Sequence, residues 1–187
     1  MQSPSFLTGQ FLIAMPAMGD PNFDHTVTFV VEHTEEGALG IVINRPTGMT
    51  VGEILDQMQM AAGDDGVASR PVLQGGPVQQ ERGFVIHDSD AEFASTLKVG
   101  EGLRVTTSRD ILEAMARGQG PGRAEVALGY AGWAAGQLDD EMAANAWLTV
   151  PARSEIIFDT PYERRWESAA RLLGIDIRAI GPEAGHA

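Results

Sequence analysis

The chain has 187 residues, 43% of them apolar and 21% charged, which suits one globular domain large enough to bury a real core. Acidic residues outnumber basic ones 26 to 13, a formal net charge of −13, so phosphate backbones and anionic membranes are repelled and direct nucleic-acid binding is disfavoured. No cysteine is present, which removes disulfides, thiolate catalysis and cysteine metal sites together.

Residues up to Ser5 read as a frayed start. Gln10 to Met15 is an apolar run, a buried strand too short to span a membrane because Pro16 and Asp20 end it. With no basic segment ahead of a long apolar stretch, a cytoplasmic location is expected. Pro16 to Asp24 is a loop of turn formers, and Thr26 to Glu32 is a strand rich in β-branched residues. His33 to Gly37 is expected to be a solvated hairpin tip, with Leu39 to Ile43 as its partner strand until Asn44-Arg45-Pro46. Thr50 and Glu53 form a capping box for a helix whose apolar face is Ile54, Leu55 and Met58.

Gly63 to Gly66 is a polar loop, Pro71 to Leu73 a brief strand, and Gln74-Gly75-Gly76-Pro77 a turn. Gly83 to His87 and Leu103 to Thr107 follow as strands. Ser108 is expected to cap a helix carrying Ile111, Leu112 and Met115, which Gly118 ends. Next comes an alternating strand through Val126, Leu128 and Tyr130. A turn is expected from Gly132 to Gly136, then a short helix, then a return strand from Trp147 to Val150. Gly129 and Gly132 are expected to mark a close approach of another segment. Ile156 to Phe158 is a last apolar run. Thr160, Pro161 and Glu163 are the N-terminal signature of a final helix with Trp166, Ala169, Ala170 and Leu173 inward and Gly174 at its end. No repeat or linker divides the chain, so one domain over residues 1–180 is expected, with 181–187 a loose tail. Strands early and helices interspersed singly predict an α+β fold with a mixed, mostly antiparallel sheet.

Three stretches carry a family resemblance: Leu7 to Pro16 with Asp20-Pro21-Asn22-Phe23; Gly37 to Pro46; and Leu128 to Trp133 with Gly136-Gln137-Leu138. Gln74 to Val78 and Gly83 to His87 fit as well. On these the chain resembles the bacterial YqgE/AlgH family (UPF0301) over nearly its whole length. The resemblance implies an α+β domain whose bent sheet forms a partial barrel flanked by helices. It also implies an association with transcriptional regulation, and it brings no catalytic residues.

The residues themselves supply no catalytic set. Gly129, Gly132 and Gly136 precede a helix but match neither nucleotide-binding glycine pattern, and Asp139, Asp140 and Glu141 would repel a phosphate there. Asp20, Asp24, His25, Glu32 and His33 contain no metal-ligand spacing, and His25 and His33 flank an extended strand about 25 Å apart. No metal or cofactor is expected. His87 has Asp88 on the opposite strand face, so a buried or turn-capping histidine is the simpler reading. No G-x-S-x-G elbow occurs. The candidate ligand-binding residues are Asn44, Arg45, Gly75, Gly76, His87, Gly132 and Trp133, because arginine in a post-strand loop recognises carboxylates and phosphates. The preferred reading is a non-enzymatic regulatory or interaction protein with a protein or small-molecule partner. The alternative is a ligand receptor or enzyme using those loops.

Overall fold

The computed structural model describes residues 6–180 apart from Asp64 and Glu101, so the expected frayed start and the tail at 181–187 lie outside the described residues. The described residues form ten strands and six α-helices. In chain order they are β1 (Gln10–Ala14), β2 (Val27–Thr34), β3 (Gly37–Val42), β4 (Pro46–Thr50), α1 (Val51–Gln57), α2 (Asp65–Ala68), β5 (Pro71–Gln74) and β6 (Val78–His87). They continue with β7 (Thr96–Lys98), β8 (Arg104–Thr106), α3 (Asp110–Ala116), β9 (Ala124–Ala134), α4 (Gln137–Ala143), β10 (Trp147–Pro151), α5 (Ser154–Phe158) and α6 (Arg165–Arg171).

The strands make one curled sheet in the order β10-β1-β2-β3-β9-β6-β8-β7, with β5 pairing both β4 and β9. Every pairing is antiparallel except β5 on β9. The fold is therefore α+β, a half-barrel sheet flanked by helices. The spine is β9. Its first half lies between β5, at Val126 to Leu128, and β6; its second half, Ala131 to Ala134, pairs with β3. The neighbour changes where Gly75 and Gly76 cross the strand. A Cβ on Gly75 would strike the Gly129 carbonyl, and one on Gly76 the Tyr130 carbonyl. Gly129 itself has φ +80 and faces the Gly76 and Val78 carbonyls. Gly132 does neither: it is an exposed strand residue opposite Leu39, and a Cβ there would make ordinary contact with the side chains of Tyr130 (3.5 Å) and Val78 (3.9 Å). The close approach thus belongs to Gly75, Gly76 and Gly129, and the strand continues to Ala134 instead of turning at Gly132.

Strands β1 and β2 are buried on both faces, which is why they read as continuous apolar runs. Phe11, Ile13 and Phe29 face a core shared with Trp166, Ala169 and Ala170 of α6. Leu12, Ala14 and Val30 face a second core with Trp133, Trp147 and Leu138 of α4. A third core packs α1 and α3 on β5, β6 and β9 through Val51, Leu55, Val72, Val85 and Ile111.

Thr50 caps α1 by accepting from the Glu53 N–H. Elsewhere local signals yield. Ser108 donates to Asp110 Oδ1 and caps nothing, so α3 starts at Asp110 with no side-chain cap. Pro161 is extended (ψ 143), Thr160 donates instead to the Glu155 carbonyl, and a 3-10 turn at Tyr162–Arg164 precedes α6. The Ile156-Ile157-Phe158 run is helix α5, because β10 ends at Pro151 and leaves no ladder for it to join. His33 lies in β2 and is buried (4% exposed), not solvated. A bulge between Val30 and Glu32 shifts the alternation, and His33 Nδ1 accepts from the Leu7 N–H while its own N–H donates to Thr8.

Candidate functional site

A cleft of about 550 Å³ opens between the loop that precedes β2 and the C-terminal helical segment. One wall is Asp24, His25, Asn44 and Arg45; the other is Tyr162, Trp166 and Arg178. The loop wall is clamped. Arg45 donates from Nη1 to the Asn22 carbonyl (2.7 Å), and from Nη2 to the carbonyls of Pro21 and Asp24 (both 2.9 Å). Asn44 straddles the next residues: its Nδ2 donates to the His25 carbonyl (2.8 Å) and its Oδ1 accepts from the Val27 N–H (3.0 Å). Between these clamps His25 holds φ +58, a left-handed conformation that costs a non-glycine residue about 1–3 kcal/mol. From the far side Phe23 stacks on Trp133 (5.8 Å between centroids) and meets Trp147 edge-on (5.4 Å).

The strained backbone projects the His25 ring into the cleft. It lies 4.3 Å from the Trp166 ring, and Nδ1 is 2.6 Å from Asp24 Oδ1. A carboxylate on Nδ1 fixes the ring orientation and makes Nδ1 the donor of that pair. Arg178 on the opposite wall pairs with Glu167 at 2.8 Å. The cleft thus offers an imidazole, two guanidinium groups, the carboxylates of Asp24 and Glu163, and the aromatic side chains of Tyr162 and Trp166.

Beneath it runs a buried ionic bridge. Arg165 (2% exposed) donates to Glu125 Oε1 (2.9 Å), to the Ile43 carbonyl (2.6 Å) and to the Thr160 carbonyl (2.9 Å), and lies over the Tyr162 ring. Burial raises the Glu125 carboxyl above its ordinary value, against the pull of Arg165. Burial and the Glu125 charge push the Tyr162 phenol to about 12, so it remains a protonated donor to Glu125 Oε2. This bridge ties β9 to α6.

The candidate residues read from the sequence do not converge. Asn44 and Arg45 line the cleft, but several of their polar atoms are committed to holding its loop. Gly75 and Gly76 are packed against β9, away from the cleft. Gly132 and Trp133 border a separate shallow groove with Glu32, Glu36 and Tyr130. His87 is fully buried, its Nε2 2.8 Å from Thr106 Oγ1 and its Nδ1 without a partner. Burial lowers its pKa below 6.5, with a further lowering from the Arg104 charge and a partial offset from Asp88.

Comparison with known proteins places this architecture. An AlgH-like family model matches residues 11–178, which include nearly the whole cleft wall from Pro16 to Arg178. The chain belongs to the AlgH-like family. It is 54% identical to a UPF0301 protein of Thioalkalivibrio sulfidiphilus and 49% identical to one of Nitrosococcus oceani, each aligned over 187 residues and covering both chains completely. The solution structure of AlgH from Pseudomonas aeruginosa superposes with a TM-score of 0.80 at 49% identity, covering 100% of this chain and 99% of the other. A Corynebacterium diphtheriae crystal structure gives 0.74 at 18% identity, covering 96% and 93%, and speaks to the fold alone.

Within this AlgH-like chain, sequence reasoning weighed His25 only with Asp20, Asp24, Glu32 and His33 as a metal site, and did not find the Glu125–Arg165 bridge. A positive φ at histidine has no sequence signal beyond its place in a turn-rich stretch. Glu125 did carry one, a lone charge beside the apolar run of β9. Among the described residues no three metal-ligating side chains gather, and no helix is long and apolar enough to cross a membrane.

Proposed function

We propose that this AlgH-like protein is a cytoplasmic regulatory binding protein that performs no chemistry itself, and that its ligand sits in the cleft beside His25. The observation that carries this is the construction of the loop: four hydrogen bonds donated by Asn44 and Arg45 and one accepted by Asn44 hold His25 in a strained backbone against an open cleft. Strain upheld this way at an exposed position is how proteins pre-organise a contact group. Arg45 and Arg178 favour a small anionic ligand, and Tyr162 and Trp166 favour one with a planar portion. Any effect on transcription is indirect, because a net charge of −13 opposes DNA.

A thermal-shift panel of small carboxylates, phosphates and nucleotides tests this. A true ligand at about a hundred times its dissociation constant adds roughly 2.7 kcal/mol, and His25→Asn should remove the shift. No shift from any anion, or tight salt-dependent binding of duplex DNA by the pure protein, would contradict the reading.

One observation favours a second reading, an enzyme at the same cleft. Asp24 on His25 Nδ1 is the arrangement that prepares a histidine as a general base. Turnover of a bound anion that is abolished in His25→Asn, with binding retained, would establish it.

A further inference from the structure

A second cavity, remote from the His25 cleft, lies between α1 and α3 over β6 and β9. Its volume is about 440 Å³, and its walls are mostly apolar: Met49, Ile54, Met58, Phe84, Leu112 and Leu128 among them. The third core is therefore not closed. Met49, Met58, Leu112 and Leu128 are only partly buried, although each packs on that core. Open apolar space of this size, with a few polar groups at its mouth, has the form of a small-molecule site. Methionine side chains adapt their shape to a chain-like guest.

The mouth carries two charged side chains, Arg109 and Glu81. They are not equivalent. Arg109 is pre-oriented across the opening: Nη2 donates to the Met58 carbonyl at the end of α1 (3.1 Å), and Nε donates to Glu113 (3.3 Å). Its remaining donors can meet a carboxylate without first ordering the side chain. Glu81 is exposed on β6 and makes no ion pair among the described residues. The positive end is the built one.

We propose that this cavity binds a medium-chain aliphatic carboxylate, its tail between α1 and α3 and its carboxylate on Arg109. The site is independent of the His25 cleft. Calorimetric titration of the full chain with octanoate, decanoate and dodecanoate, each below its micelle concentration, tests it directly. Each added CH2 should tighten binding about fourfold until the cavity is full. Arg109→Gln should weaken decanoate at least tenfold and leave decanol unchanged. Leu112→Trp, which fills the cavity, should abolish binding of both, and His25→Asn should alter neither. Should Leu112→Trp misfold by circular dichroism, Met49→Trp at the rim gives the same readout. Decylamine binding as tightly as decanoate would overturn the head-group assignment. Affinity independent of chain length, or untouched by the filling variants, would overturn the site.

Discussion

The unit around Trp133 and Trp147 and the loop ahead of β2 both depend on hydrogen bonds converging on one or two side chains, with opposite results. In the first, Glu141 Oε1 accepts from both indole N–H groups, at 3.0 and 2.9 Å, and Oε2 accepts from Gln137. Gln137 in turn accepts from the Ala134 N–H, so the end of β9 and the start of α4 are closed on themselves. Both indoles are buried, and the unit's one left-handed non-glycine residue, Asn145 (φ +60), is of a type that takes that conformation readily. In the second, Asn44 and Arg45 gather loop carbonyls, and what they hold in place is a left-handed histidine facing solvent. Convergence inward makes scaffold. Convergence that props an unfavourable backbone outward holds a side chain at an open surface. Phe23 joins the two, since it plugs the loop into the tryptophan pair.

The sharpest way to break this contrast is to remove the shared anchor. Trp147→Ala should cost about 3–5 kcal/mol in urea unfolding, as large aromatic truncations do. It should also loosen the loop, seen as faster proteolysis near Phe23; a loss of stability with the loop unaffected would separate the two regions. Next come the glycines. Gly129→Val should cost about 3 kcal/mol or more, since a β-branched residue must take φ +80 against the Gly76 carbonyl. Gly132→Val should stay within about 0.5 kcal/mol of wild type by melting temperature. Equal effects would show that the tight crossing is misplaced.

Asn44→Ala should cost about 1–3 kcal/mol, the range for leaving a donor or acceptor unmet. Unlike the tryptophan change, it should weaken ligand binding in the His25 cleft more than it lowers stability. The smallest effect at neutral pH is at His87. Its folded pKa lies below 6.5, so the unfolded chain binds the proton first. Stability is then fully present above about 6.5 and falls as pH drops toward the lowered folded value. Unfolding curves from pH 7.5 to 5 should show that slope, and His87→Phe should flatten it.

The sequence made the sheet's inner members legible, because β1, β2, β3 and β9 are apolar runs and Thr50 has its glutamate in place. It hid β4 and β7, whose Pro46-Thr47-Gly48 and Thr96-Leu97-Lys98 have no apolar period. They are strands because a neighbouring strand offers them a ladder. Arginine and asparagine after β3 stood out as polar groups in a loop, yet residue type cannot say whether their donors face a ligand or the chain's own carbonyls. Here much of that capacity faces the chain. His25 was weighed only as a metal ligand because its left-handed backbone and its contact with distant Trp166 leave no local pattern.

Because β9 is the common rail for both walls of the half-barrel, neither wall can peel away while it stays paired. Its central amides, Val126 to Ala131, should therefore exchange with deuterium only when the whole domain opens. The short outer strand β7 can detach alone and exchange early. A hierarchy of release times from the rim inward follows from strand order alone.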